Sequence, residues 1–260
     1  SGSDQRTGAA DDGRRGTRDA KYFGVHACRA LAARRPEAVR RAFVHESAMP
    51  VFGELLKEIA RRRRPYKVVD DAELAKVSGT RHHEGVCLLT DPLPEPDPGS
   101  LVAALAARPA ARMVFLDGVG NPHNVGAILR SAAHFGAGAL VGLADELPSP
   151  SGATARIAEG GAEHVPVMRW NHPKRSLSRV AEAGFCRVAT VVEGGEPLYA
   201  AELPRHCVFM LGAEREGLSE SARRLADRAV TIPGTGAVES LNVSVAAAVL
   251  LSEHFRRWGA

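Results

Sequence analysis

The 260-residue chain has only four cysteines, Cys28, Cys87, Cys186 and Cys207, and no two of them form a C-x-x-C pair. Each sits among apolar neighbours, the setting of a buried free thiol. A disulfide-stapled mini-protein is excluded, and reduced thiols in a cytoplasmic protein are expected. No apolar run reaches the roughly 18–20 residues of a membrane helix, so no membrane span is expected. No charged-then-apolar secretory leader opens the chain. The ten histidines fall in no Cys/His spacing of a zinc site, and no metal is expected. The adjacent pair His82-His83 points its side chains in different directions, which is poor chelating geometry. The G-x-G-x-x-G dinucleotide fingerprint is missing as well.

What remains is an ordinary globular balance of 45% apolar and 25% charged residues, on a chain long enough for two domains. The net charge of +4 is unevenly spread. Residues 21–81 carry 14 Lys+Arg against 7 Asp+Glu, whereas residues 82–260 carry 16 against 19. The excess includes Arg34, Arg35, Arg40, Arg41 and the run Arg61, Arg62, Arg63, Arg64. A polyanion-binding module joined to a more acidic unit accounts for this pattern; a solvated helix face accounts for it equally.

Residues 1–19 are rich in Gly, Asp and Arg and read as a disordered tail. The next stretch alternates in a compact α/β pattern. Helices are predicted at about 26–35, at about 50–63 and from Asp70 or Asp71; strands are predicted at about 41–45, 66–69 and 86–89. Four prolines in 91–99 read as a linker with no helix. A helix at about 100–107 opens the second unit. Strands at 113–116, 139–142, 188–192, 208–211 and 229–232 then alternate with helices at 122–135, 151–163, 174–183, 220–227 and 241–257. Covered strands alternating with helices imply a parallel sheet. The last helix is apolar nearly all round and must be buried on more than one side.

Three segments would lie at strand carboxyl ends, where such sheets bind ligands. The first, Asp117–Arg130, places Asn124, Gly126 and Arg130 within two helical turns; an Asn cap, a packing Gly and a surface Arg explain it as well. The second, Leu211–Ser219, has the spacing G-x-E-x-x-G. Its central carboxylate repels a pyrophosphate and admits a cationic or zwitterionic ligand. A glycine turn followed by a Ser219-capped helix is the plainer reading. The third, Ile232–Ala246, carries Ser240, Asn242 and Ser244 into an apolar helix, where they either cap it or meet a phosphate.

Together these segments resemble the SpoU (TrmH-type) family of the SPOUT superfamily. These are RNA ribose 2′-O-methyltransferases that use S-adenosylmethionine. The patterns are N-x-G-x-x-x-R at Asn124–Arg130, G-x-E-x-x-G at Gly212–Gly217 and I-P…S-L-N-V-S-V-A at Ile232–Ala246. Gly234 stands where the family often has Met. Residues 21–90 resemble, more weakly, the small L30e-like substrate-binding domain, through Gly24-Val25-His26 and His83-Glu84-Gly85-Val86.

The resemblance implies an L30e-like α/β RNA-binding domain at 20–90, a linker and first helix at 91–111, and a parallel-sheet methyltransferase domain with a trefoil knot at 112–260. It implies a homodimer that methylates a ribose 2′-hydroxyl of tRNA or rRNA. Arg130 is then the catalytic residue, supplied across the dimer, although a guanidinium with a pKa above ~12 is a poor base. Asn124 orients Arg130 or the ribose, Glu214 holds the cofactor loop, and Ser240 and Asn242 bind phosphate or complete the site. The cofactor falls to backbone groups of Gly212, Ile232 and Leu241, with Leu211 as a further apolar wall and Thr190 as a lesser contact. Competing readings are a non-catalytic RNA-binding relative, a Rossmann-type nucleotide enzyme and an Arg-rich structural protein. The intact Arg130, Glu214, Ser240 and Asn242 disfavour the first, and Glu214 disfavours the second.

Overall fold

The computed structural model describes residues 19–259; the tail expected over 1–19 lies, apart from Asp19, outside the described residues. The first sheet has four strands, β1 (Ala20–Phe23), β2 (Val39–Val44), β3 (Tyr66–Val68) and β4 (Val86–Thr90), in the order β1-β4-β2-β3. β4 is antiparallel to β1 and β2, and β3 is parallel to β2. Helices α1 (Val25–Arg34), α2 (Met49–Arg61) and α3 (Asp71–Ser78) flank it. Strand side chains alternate between the faces. Ala42, Val44, Val86 and Leu88 meet Leu31 of α1 and Phe52 and Ile59 of α2, while Phe43 and Cys87 meet Leu74 of α3. Asp70 caps α3, its Oδ1 accepting from Glu73 N at 2.8 Å. β1 was not expected from the sequence.

Residues 91–97 cross to the second unit as coil. Helix α4 (Pro98–Ala106) begins inside the stretch expected to hold no helix. Proline at the first helical position gives up only an N–H that has no partner there. Seven strands follow: β5 (Ala111–Asp117), β6 (Ala139–Leu143), β7 (Val167–Trp170), β8 (Cys186–Thr190), β9 (Glu196–Pro197), β10 (His206–Gly212) and β11 (Arg228–Thr231). They form one sheet, order β7-β6-β5-β10-β8-β11-β9, with every pair parallel. The connecting helices are α5 (Pro122–His134), α6 (Gly152–Ala158), α7 (Pro173–Glu182), α8 (Glu220–Arg223) and α9 (Val243–Trp258). Both faces are covered, as a parallel sheet requires. Val114, Leu116 and Phe209 pack with α5 and α9, and Met113, Phe115 and Met210 pack with α4 and α7.

Two expected helices are shorter than their sequence pattern. The one read over 151–163 ends at Ala158, where Glu159 (φ 47) and Gly160 (φ 94) reverse the chain before a single 3-10 turn at Gly161–Glu163. A Cβ on Gly161 would lie 2.7 Å from the Leu129 carbonyl oxygen, so the turn presses backbone to backbone on α5. The helix read over 220–227 ends at Arg223. Asp227 N donates to Arg187 O, and the Asp227 carboxylate accepts from Arg187 N and its guanidinium, which draws the segment into β11 beside β8.

The linker does not separate two cores. One buried apolar cluster runs from Leu31 and Phe52 through Ala155 and Ala162 to Leu129 and Leu250. Helix α9 is also fastened by a buried polar group. Arg112 of β5 is 1% exposed; its Nε donates to His254 Nδ1 at 2.9 Å, and its other nitrogens donate to the carbonyls of Phe135 and Gly259. His254 Nε2 lies 2.9 Å from Pro204 O, so it carries the proton.

Burial, together with the Arg112 charge, pushes His254 down to about 4. The unfolded chain therefore takes up a proton that the folded chain refuses as the pH falls from 6.5 towards 4. Stability is complete above that window, declines through it and levels below it, by up to about 3 kcal/mol. Thermal melts between pH 7 and pH 4 should show this decline, and His254→Asn should flatten it. An unchanged slope in the variant would assign the pH dependence to other groups.

Candidate active site

β5 and β10 lie side by side with Gly212 opposite Asp117, so their carboxyl ends open together. β5 leads outward to β6 and β7, while β10 adjoins β8 on the other side. The strand order reverses at this point, the usual ligand crevice of an open α/β sheet.

The three turns meet there. After β5, Asn121 rather than Asn124 caps α5, its Oδ1 accepting from His123 N at 2.8 Å, with Pro122 as the first helical residue. Asn124 therefore sits in the first turn. Gly126 is a packing glycine: a Cβ would lie 2.8 Å from both Ile157 Cβ and Thr154 O of α6. After β10, a Cβ on Gly212 would stand 1.9 Å from the Gly217 carbonyl carbon. Gly217 N donates to Ala213 O at 2.7 Å, closing a tight turn that projects Glu214 outward. Asp117 braces the far end by accepting from Ser219 N at 2.8 Å, and Ser219 caps α8 as expected. Glu146 accepts from Gly118 N at 2.9 Å. Sequence reading missed Asp117 and Glu146 as anchors of these loops, since isolated carboxylates after strands carry no pattern.

After β11, the exposed loop 233–241 reaches Asn242, the cap of α9. Asn242 Oδ1 accepts from Ser244 N at 2.9 Å. Its Nδ2 donates to Asn124 Oδ1 at 3.1 Å and to Glu214 Oε1 at 2.6 Å, and the same Glu214 oxygen accepts from Val243 N at 3.4 Å. Asn124, Glu214 and Asn242 thus form one hydrogen-bonded cluster. Ser240 is exposed at its edge, without a hydrogen bond among the described residues.

Arg130 is not in that cluster. It stands on the outer face of α5 with its side chain 61% exposed and Nη2 3.0 Å from Glu159 Oε2. Asn124 therefore does not orient Arg130 within one chain, because its amide oxygen is turned to Asn242. Asn242 is also no free phosphate ligand: both of its amide hydrogens are taken.

The residues expected to hold the cofactor divide in the same way. Gly212 ends β10 at the crevice, Ile232 is half-buried just after β11, and Leu241, 43% exposed, precedes Asn242 in the chain. Leu211 is no apolar wall of it, because its side chain is 2% exposed in the core beneath; only its backbone is left to serve. Thr190 ends β8 with a buried Oγ1 that has no hydrogen-bond partner. An orphaned hydroxyl at the carboxyl end of β8 fits a bound polar ligand.

The basic cluster also separates. Arg35 is not surface: its side chain is 11% exposed, pairs with Glu163 at 2.8 Å and lies 5.1 Å over the Tyr22 ring. Arg64 donates to the carbonyls of Glu37 and Val39 and so fastens the start of β2. Arg34, Arg40, Arg41, Arg61, Arg62 and Arg63 are exposed, with Arg40 paired to Asp91 and Arg61 and Arg62 to Glu58.

Comparison with known proteins agrees with this geometry. Residues 111–252 match the SpoU rRNA Methylase family, and residues 22–96 match the domain described as RNA 2′-O ribose methyltransferase substrate binding. The chain is 42% identical to the "Uncharacterized tRNA/rRNA methyltransferase YfiF" of Escherichia coli O157:H7, over 92% of this chain and 68% of that protein. It therefore spans about two thirds of that relative's length. It is 32% identical to the 23S rRNA (guanosine-2′-O-)-methyltransferase RlmB of Vibrio vulnificus, over 90% of this chain and 96% of that one. The fold is shared with AviRb of Streptomyces viridochromogenes, a SpoU methyltransferase solved with AdoMet, at a TM-score of 0.74, 21% identity and coverage of 92% and 90%. With the three motif turns closing on one crevice and a family match over more than half its length, the chain belongs to the SpoU family of RNA ribose 2′-O-methyltransferases.

Proposed function

We propose that the crevice built by Asn124, Glu214 and Asn242 is the methyl-transfer site, completed by Arg130 of a second copy of the chain. The observation that carries this is the pair of hydrogen bonds from Asn242 Nδ2, which joins three sequence-distant motifs at the carboxyl ends of β5 and β10. S-adenosylmethionine supplies a methyl group already activated by its sulfonium. Backbone groups of Gly212, Ile232 and Leu241 hold it, and the unpartnered Thr190 hydroxyl adds a polar contact. Glu214 ties the turn after β10 to the start of α9, so both walls of the crevice move as one. Ser240 is left to meet substrate phosphate near the α9 N-terminus.

The substrate is a ribose 2′-hydroxyl in tRNA or rRNA. Such a hydroxyl is a weak nucleophile, and holding it in line lowers the barrier by several kcal/mol. Arg130 keeps its proton, since a guanidinium titrates above ~12. It fixes the phosphate of the reacting nucleotide and polarises the hydroxyl, while the proton leaves to phosphate or water.

The homodimer reading is supported by apolar surface that one chain leaves in water: Val238 (71% exposed), Leu241, Val245 (47%) and Phe255 along α9 and the loop before it. The trefoil-knot reading is supported by the course of α9, which follows β11, the strand next to the edge strand β9, and returns to pack on α5. We assign residues 20–90, L30e-like, to RNA binding, 91–111 to the connection and 112–260 to catalysis. Exposed Arg34, Arg40, Arg41, Arg61, Arg62 and Arg63 meet the RNA backbone, which makes binding steeply salt-dependent. An RNA substrate and four free thiols support a cytoplasmic location.

Incubation with total RNA and isotopically labelled S-adenosylmethionine should yield a labelled 2′-O-methylnucleoside by mass spectrometry. A non-catalytic relative would yield none. Arg130→Ala should abolish transfer while cofactor affinity by calorimetry stays within about tenfold, ~1.4 kcal/mol; full turnover would remove Arg130 from the mechanism. Gly212→Ala, which drives a Cβ into Gly217, should lose cofactor binding. If Arg130 acts across a two-fold axis, mixing these two inactive variants should restore about a quarter of wild-type activity, because half of randomly exchanged dimers then hold one intact site. No recovery after subunit exchange would place Arg130 in its own chain's site.

A further inference from the structure

We propose that Glu159 is a positioning residue for Arg130, and that residues 156–163, which carry it, transmit the seating of the RNA-binding unit to that guanidinium. The proposal rests on the role given above to Arg130. Three charged side chains of this one segment are paired. Arg156 Nη1 lies 3.8 Å from Glu84 Oε1. Glu163 takes a forked pair from Arg35, at 2.8 and 3.0 Å. Between them, Glu159 Oε2 lies 3.0 Å from Arg130 Nη2. The outer two partners belong to the 20–90 unit, and the middle one belongs to α5.

The backbone of the segment is wedged from both sides. A Cβ on Gly160 would lie 2.9 Å from Ala30 Cβ of α1, and one on Gly161 would lie 3.1 Å from Arg130 N. Glu159 itself takes φ 47, a left-handed conformation rare for a residue with a side chain. Its surroundings impose that conformation, and it points the carboxylate back to α5. The hold on α1 is equally definite. Glu84 Oε2 accepts from Val25 N, the first residue of α1, at 2.8 Å, and Tyr22 donates from its hydroxyl to Pro150 O at 3.0 Å, just before α6. Gly24, where a Cβ would lie 2.7 Å from Arg156 Cγ, and Glu84, which the sequence tied only to the small domain, are therefore parts of its seat on the catalytic unit. A shift of α1 moves the 156–163 turn, and the turn carries the one carboxylate that Arg130 meets among the described residues.

The chemistry follows from the guanidinium fork. Unpaired, Arg130 is a long, mobile side chain on an exposed face. One carboxylate oxygen at Nη2 fixes its direction and leaves Nε and Nη1 free for a phosphate. An open groove of about 520 Å³ beside it, lined by Arg130, His134, Glu159, His164 and Ala30, has room for a nucleotide.

The test is steady-state methyl transfer to total RNA, with the intact chain and saturating S-adenosylmethionine. Glu159→Gln is expected to lower kcat about tenfold, with KM for the cofactor and the melting temperature unchanged; Glu159→Asp is expected to recover at least half of the loss. Glu84→Gln, in the other unit, is expected to lower kcat about threefold in the wild-type background and not further in Glu159→Gln. Equal kcat in wild type and Glu159→Gln, with Arg130→Ala inactive, would overturn the positioning role and leave the role of Arg130 standing. An active Arg130→Ala would overturn both. Additive losses in the double variant would overturn the transmission from the RNA-binding unit.

Discussion

Two hydrogens on one amide hold the crevice at the ends of β5 and β10 together. Asn242 gives one to Asn124 and one to Glu214, and so joins the starts of two helices to the turn between a strand and a third helix. A hydrogen bond to a charged acceptor is worth roughly 1.5–3 kcal/mol, and a neutral one about 1. The effect on geometry exceeds the effect on stability. Without that amide, only the 3.4 Å contact from Val243 N would join the Glu214 turn to the chain that follows the exposed loop 233–241.

That amide can do this only because the parallel register sets Gly212 opposite Asp117 and leaves both carboxyl ends open at the reversal of strand order. Glycine then lets backbone approach backbone. At Gly212 the chain passes Gly217 with no space for a methyl group, and at Gly126 and Gly161 helix α5 is pressed by α6 and the turn after it. The outcome is a crevice with a close-packed floor, beside a helix that carries Arg130 on its outer face.

The RNA-binding unit is joined to this assembly more firmly than a proline-rich linker suggests. The apolar cluster passes from one sheet to the other, and Arg35, Glu84 and Tyr22 tie the units at their seam. Charge in the first unit thus has two uses. Some of its arginines remain on the surface, where a polyanion can reach them. Arg35 and Arg64 instead satisfy a buried carboxylate and backbone carbonyls.

Much of the fold was legible in order of elements: the parallel sheet and the Asp70 and Ser219 caps follow from periodicity and local motifs, which depend on neighbours a few residues apart, while Asn124, Glu214 and Asn242 were singled out by the family resemblance. The short strands β1 and β7 were not legible. The early end of α6 was not legible either, because it is imposed by Leu129, a residue on another helix. Sequence alone singled out the candidate residues, through a family resemblance carried by local motifs. Only the tertiary structure decided that Asn242 organises instead of binding phosphate, that Leu211 faces the core, that Arg35 and Arg64 are anchors and that Arg130 stands apart beside Glu159. Each of these depends on which distant groups the folded chain brings within hydrogen-bonding distance, and spacing along the chain does not encode that distance.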